Sequence, residues 1–248
     1  MIDIHAHILP NLDDGADDWN DALTMAELSA ESGVTTLVAT PHCGLPDQST
    51  SGLRRRIQGQ LSTLREILQQ AAVPLEVLEG MEIFGTEDTP RLLELGLLTT
   101  LNGSRYPLIE FPFRNYARSA TEILEELRKM DMVPVIAHPE RYQYVQRNPA
   151  LLNLWTDMGC LLQINRGSLL GRFGRTSEEL AWAMLDRGFV CTVASDAHSP
   201  QTRTTWMQDV RELLAEEFSE ETAQLLLWHR PGRLVRNETI HIPEPDWF

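Results

Sequence analysis

The sequence predicts an α/β protein, a closed or nearly closed barrel built from seven strand–helix units. Short β-type runs alternate with stretches whose apolar residues recur at helical spacing, the pattern of parallel strands joined by crossover helices. The 248 residues match the size of one α/β barrel. The third observation is positional. Each of the seven runs is followed closely by a polar residue with chemical capability, and parallel barrels build their sites at that end of the strands.

Residues 2–5 form the first strand. Asp17 and Asp18 can cap a helix that continues to about Ser32, where Gly33 stops it. Val34 to Ala39 is strand two. A polar loop, Gly44 to Ser51, leads into a long helix to about Ala72. Leu75 to Leu78 starts strand three, and Pro90 opens a short helix that ends before Gly96. Leu108 to Phe111 is strand four. Ile123, Leu124, Leu127 and Met130 then share one helical face. Val133 to Ala137 is strand five. Pro149 opens the next helix, Gly159 ends it, and Cys160 to Ile164 is strand six. Glu178 to Arg187 is helical, and Phe189 to Ala194 is strand seven. After Ser199 the chain reads as mostly helical to about Arg236. From about residue 237 the tail is Pro-broken and irregular, and Thr239 to Ile242 makes a poor eighth strand. With no internal repeat, low-complexity tract or linker, residues 1–248 are read as a single domain.

The net charge of −15 argues against nonspecific binding to nucleic acid or an anionic membrane, which needs a basic surface. It does not argue against an anionic substrate, because bound cations reverse a local field. A candidate ligand strand starting at residue 2 leaves no place for a signal peptide, and no apolar run reaches transmembrane length. Cys43, Cys160 and Cys191 form no C-x-x-C pair, and a reducing cytoplasm is their simplest home.

His5-Ala6-His7 places two imidazoles on one side of a strand. Alone the pair is weak. The strand ends add His42, Glu82, Glu110, His138 and Asp196, with His198 repeating the i, i+2 spacing and Asp14 in the first loop; Asn165 ends strand six and is not counted among the nine candidate ligands. Taken singly, Glu82 or Glu110 would be a solvated carboxylate, and His42 after Pro41, His138 before Pro139 and Asp13-Asp14-Gly15 would be turn residues. Together they are a ligand set. Imidazole and carboxylate without thiolate suit Mn, Fe or Zn, and nine ligands suit two or three ions sharing bridging carboxylates. Closely spaced ions activate water and clamp oxygens in phosphoryl displacement. His229 and His241 lie outside the pattern. Cys160 and Arg166 have the C-x5-R spacing of thiol phosphatases, but an apolar strand separates them where a phosphate-cradling loop is needed. Arg166, just past that strand, is left as a group that can face the site.

These segments resemble the PHP (polymerase and histidinol phosphatase) metal-dependent phosphoesterases. They are most similar to the branch of bacterial protein-tyrosine phosphatases that control capsule and exopolysaccharide synthesis. The matching segments are residues 1–10, Asp13-Asp14-Gly15, Thr40-Pro41-His42, Gly80-Met81-Glu82-Ile83, Ile109-Glu110-Phe111, His138-Pro139-Glu140-Arg141-Tyr142, Gln163-Ile164-Asn165 and Ser195-Asp196-Ala197-His198. The resemblance implies a distorted (β/α)7 TIM-like barrel with a three-ion, often manganese-dependent site. It implies one ion on His5, His7, Glu82 and Asp196, a second on Glu82, Glu110 and His138, and a third on Asp14, His42 and His198. Histidine-type residues tend to replace Asp14 and Glu110 in the histidinol-phosphatase branch, so the carboxylates here favour the tyrosine-phosphatase branch. Ala6, where Ser is frequent, and Arg166, where a small residue is usual, depart from the pattern.

The activity implied is in-line hydrolysis of phosphotyrosine, with Arg141 and Arg203, each a few residues past a ligand motif, expected to bind the phosphate. The implied substrate is the phosphorylated tail of a membrane-associated tyrosine autokinase. The stretch from Gly44 to Arg56, ending in three arginines, can help recognise an anionic peptide, although such a run is more often a solvated helix face. A small-molecule phosphatase (histidinol-phosphate or sugar-phosphate type) and an inactive metal-bearing docking module are the competing readings.

Overall fold

The structure, a computed structural model, describes residues 1–44, 50 and 52–248. Most of the polar loop expected from Gly44 to Ser51, and with it part of the stretch expected to recognise an anionic peptide, lies outside the described residues. Nine parallel strand segments are present among those described. β1 (Ile2–Ala6), β2 (Thr36–Ala39) and β4 (Glu76–Glu79) form one sheet in the order β1-β2-β4. β3 (His42–Cys43), β5 (Glu82–Phe84), β6 (Leu108–Glu110), β7 (Val135–Ala137), β8 (Leu161–Asn165) and β9 (Val190–Ala194) form the other, in that order.

The two sheets are one distorted barrel of seven strand positions, because two positions are each split. Strand two breaks at Thr40-Pro41 into β2 and β3, where Pro41 has no N–H to offer a ladder. Strand three breaks at Gly80-Met81 into β4 and β5. Gly80 runs so close to β2 that a Cβ there would sit 2.7 Å from Val38 Cγ1. The ring closes between the last strand and the first. Ala6 bridges Ala197, the Asp196 amide donates to the His5 carbonyl at 2.9 Å, and the His7 amide donates to the Ala197 carbonyl at 2.8 Å. Buried Asp3 supports this seam by accepting from the Ser195 amide at 3.1 Å.

The helices cover the barrel as their patterns require. Asp18 caps α1 (Trp19–Glu31) by accepting from the amides of Asn20 and Asp21. α2 (Leu53–Gln70) buries Leu53, Ile57, Leu61, Leu64 and Leu68, one stripe at helical spacing, each position contributing roughly 1.5–3 kcal/mol by burial. α3 (Thr89–Glu94) carries Pro90 in its first turn. α4 (Ala117–Lys129) turns Ala120, Ile123, Leu124 and Leu127 inward. Short helices α5 (Gln143–Arg147), α6 (Ala150–Asp157) and α7 (Arg166–Leu169) precede α8 (Arg175–Asp186). The chain after Ser199 is less helical than expected: residues 199–207 form an irregular loop over the barrel mouth, and α9 (Gln208–Glu217) starts only afterwards. α10 (Glu220–Gln224), a π-helical turn (Leu225–His229) and α11 (Arg230–Val235) follow.

The tail beyond Arg236 has no regular structure, yet it is tied to the N-terminal ends of the strands. The Glu238 carbonyl accepts from the Tyr106 hydroxyl at 2.6 Å, the Asp246 amide donates to the Arg187 carbonyl at 2.9 Å, and Phe248 packs on Phe189 with ring centroids 5.2 Å apart. No helix among the described residues is long and apolar enough to cross a membrane.

Candidate metal centre

All nine predicted ligands converge at the C-terminal end of the strands. β1 presents His5 and His7 on the same side, with their Nε2 atoms 3.3 Å apart. Each ring is held through its other nitrogen. His7 Nδ1 lies 2.6 Å from Asp13 Oδ2, a carboxylate that only accepts, so Nδ1 carries the proton. His5 Nδ1 lies 2.9 Å from Gln163 Oε1, and the orientation of that amide is fixed by a chain of bonds. Gln163 Nε2 donates to Asn165 Oδ1 at 2.8 Å, and Asn165 Nδ2 donates to Asp196 Oδ2 at 2.5 Å. A carboxylate at the end of the chain dictates which atom of each amide faces which neighbour. Both Nε2 atoms therefore present lone pairs into the same buried space.

Into that space also point Glu82, with Oε1 3.2 Å from His5 Nε2 and Oε2 3.3 Å from His7 Nε2, and Asp196 Oδ1, 3.4 Å from His5 Nε2. All four side chains are buried. Such a knot of acceptors is stable only when positive charge lies within it. Burial disfavours a charged His5 ring, but Glu82 and Asp196 outweigh burial and raise its pKa. The donor set fits divalent ions bound by imidazole and carboxylate, each imidazole backed by an outer acceptor.

The remaining ligands extend the cluster outward. Register pairs His42 with Glu82 across β3 and β5, putting His42 Nδ1 2.9 Å from Glu82 Oε2. His138 Nε2 is 2.9 Å from Glu82 Oε1 and 3.6 Å from Glu110 Oε1. Burial, then the nearby Glu82 charge, pushes the Glu110 carboxyl up to about 7, and burial pushes His138 down to about 4. Asp14, exposed at the rim, reaches His42 Nε2 at 3.5 Å and His198 Nε2 at 3.4 Å. Four overlapping sets of donors each lie within 4.8 Å of one another: His7, Asp14, His42 and His198; His5, His7 and Asp196; His5, Glu82 and His138; His42, Glu82 and Glu110. His138 (φ 35°) and Asp196 (φ 50°) both adopt left-handed backbone where their strands end, a strain that concentrates at working sites.

Both predicted arginines reach the rim. A tight turn, Pro139–Arg141, brings Arg141 Nη1 to 3.1 Å from Asp196 Oδ2. The amides of His198 and Ser199 bond the Arg203 carbonyl, folding the loop back so that Arg203 Nη2 lies 2.5 Å from the same oxygen. Arg166 does not face the site. Its guanidinium grips Asp209 at 2.6 and 2.5 Å and bonds the Thr204 carbonyl, away from the ligands. His229 and His241 are exposed and outside the donor sets. Cys160 is buried just before β8, at the opposite end of the barrel, and burial pushes its thiol up to about 12, so it is no nucleophile.

The groups that support the candidate ligands are only partly readable from the sequence. Asp13 reads as a turn residue, and its Oδ1 does accept from the Gly15 amide, but Oδ2 serves His7 and the His42 amide. Gln163 and Asn165 did carry a signal: two amides at period two inside an apolar strand. Glu140 is buried, accepts from Asn165 N and Ser168 Oγ, and is pushed by burial up to about 7.

A parallel α/β barrel whose mouth gathers imidazole and carboxylate groups able to hold metal defines a metal-dependent hydrolase. The family model described as "Capsular polysaccharide synthesis, CpsB/CapC" matches residues 1–236, and the chain belongs to that family. It is 36% identical over 248 residues to the tyrosine-protein phosphatase YwqE of Bacillus subtilis (strain 168), covering 99% of this chain and 96% of that protein. It is 31% identical over 245 residues to the tyrosine-protein phosphatase CpsB of Streptococcus pneumoniae, covering 97% of this chain and all of that one. Crystal structures of YwqE and CpsB, described as metal-dependent tyrosine phosphatases, include a chain that superposes with a TM-score of 0.94 at 35% identity, covering 100% of this chain and 99% of the other.

Proposed function

We infer that this protein is a metal-dependent protein-tyrosine phosphatase, a phosphoric monoester hydrolase acting in capsular polysaccharide synthesis. The observation that carries the reading is the convergence of nine imidazole and carboxylate ligands at the barrel mouth with two arginines on its rim. We propose three divalent ions, with Mn favoured and Fe or Zn also compatible with the donors. His5, His7, Glu82 and Asp196 would hold the first. Glu82, Glu110 and His138 would hold the second, and Asp14, His42 and His198 the third. Bound there, the ions would supply Lewis-acid charge and lower the pKa of water at the site.

The chain's own groups do the rest. Gln163 and Asp13 keep the imidazole lone pairs facing inward. Arg141 and Arg203 bind the equatorial phosphoryl oxygens and stabilise charge that grows there in the transition state. The phenolate of tyrosine, with a pKa near ~10, leaves with less acid assistance than an alkoxide needs. The proposed substrate is the phosphotyrosine tail of a membrane-associated tyrosine autokinase, met in the cytoplasm without insertion into the membrane, and the whole of 1–248 is proposed to be one domain.

The test is activity on a phosphotyrosine kinase-tail peptide against a panel of small phosphomonoesters. Chelation should abolish turnover, Mn²⁺ should restore it, and thiol alkylation should leave it intact. Activity that survives thorough metal removal overturns the metal reading. Higher catalytic efficiency on the small esters overturns the protein-substrate reading.

A further inference from the structure

Arg141 and Arg203 converge on one oxygen of Asp196, which places two like charges side by side. A shared acceptor alone does not fix two long, flexible side chains. Phe173 does. Its ring centroid lies 4.2 Å from the Arg141 guanidinium carbon and 5.6 Å from that of Arg203, so one aromatic ring neighbours both cations. A second ring, Phe113, lies 4.8 Å from Arg141. Arg203 Nε is buried and meets no hydrogen-bond acceptor among the described residues. The ring in turn needs its seat. A Cβ on Gly167 would stand 2.6 Å from the Phe173 ring, so the ring would have to leave this seat to make room. The bonds from Arg166 to the Thr204 carbonyl and from Arg172 to the Thr202 carbonyl tie the segment around Phe173 to the loop that carries Arg203.

We propose that Phe173 is a positioning residue that holds Arg141 and Arg203 as a paired guanidinium clamp for the phosphoryl group, and that Gly167 is small so that the ring can take this seat. The proposal rests on the phosphatase reading above. Cation–π contact holds each guanidinium in place before the anion arrives, so less freedom is lost on binding.

The experiment measures binding of inorganic phosphate to the Mn-loaded protein, together with KM and kcat on the phosphotyrosine peptide. Phe173→Ala and Gly167→Ala should each weaken phosphate binding by about tenfold and raise KM by a similar factor, with kcat changed less than about threefold. Metal content should be unchanged. Phe173→Tyr should retain wild-type binding, whereas Phe173→Leu, which keeps apolar bulk without a π face, should stay weak. Phosphate binding by Phe173→Leu as tight as wild type overturns the proposal, as does a wild type that binds no phosphate, or a kcat that falls at constant KM. If the wild type fails on phosphotyrosine while the phosphate-binding differences persist, the substrate reading falls and the clamp stands.

Discussion

At the scale of single residues, the site depends on groups that never touch a reacting atom. Asp13 fixes the His7 tautomer with one oxygen, which also accepts from the His42 amide, and shapes the Asp14 turn with the other. An Asp13→Asn change would put an NH2 group against one of these donors. Metal titration should then show roughly 10–100-fold weaker affinity, the usual cost of removing an outer partner of a ligating histidine. Unchanged affinity would mean that His7 is oriented by packing alone. The convergence of the nine candidate ligands was legible because they follow strand runs at the C-terminal end of a parallel barrel. Asp13 was not, because a turn carboxylate and a histidine-orienting one look identical until the chain beyond β1 folds back on it. Arg166 misled for the opposite reason: adjacency to Asn165 says nothing about direction, and its partner Asp209 lies 43 positions away.

At the scale of elements, the two broken strands re-aim the ligands. Pro41 and Gly80 each sit at the break between two segments of one strand position, and β3 and β5 restart with His42 and Glu82 facing each other. Gly80→Ala should be destabilising by about 1–3 kcal/mol, since stiff Val38 cannot yield to the new methyl, and turnover should fall as β5 shifts. Gly59→Ala, in α2 with open space around it, should instead be stabilising by about 0.5–1 kcal/mol. Chemical denaturation of the two variants checks both signs, and equal effects would show that Gly80 is only a helix-type entropy site. The seven strand positions and the long helices α2 and α4 were readable from periodicity. The breaks, together with α5 and α7, were not. Segments of two to five residues carry no period, and the left-handed turns at His138 and Asp196 are set by the tertiary fold.

At the scale of the whole molecule, the two ends of the barrel have separate duties. The mouth holds the ligands, while the tail straps the opposite end through Tyr106, Arg187 and Phe189. Removing the residues after Arg236 should lower Tm by roughly 5 °C and leave kcat on the phosphotyrosine peptide unchanged. A large loss of kcat at full stability would tie the tail to the chemistry. The seam between β1 and β9 has a different consequence. Asp3 and Ser195, which join it, are 192 positions apart, and His5 and His7 meet Asp196 and His198 only there. On the ribosome the innermost donor set therefore does not exist until the chain through Asp196 has emerged and the barrel has closed. A cation held by this set would be selected by the closed barrel rather than by the emerging chain.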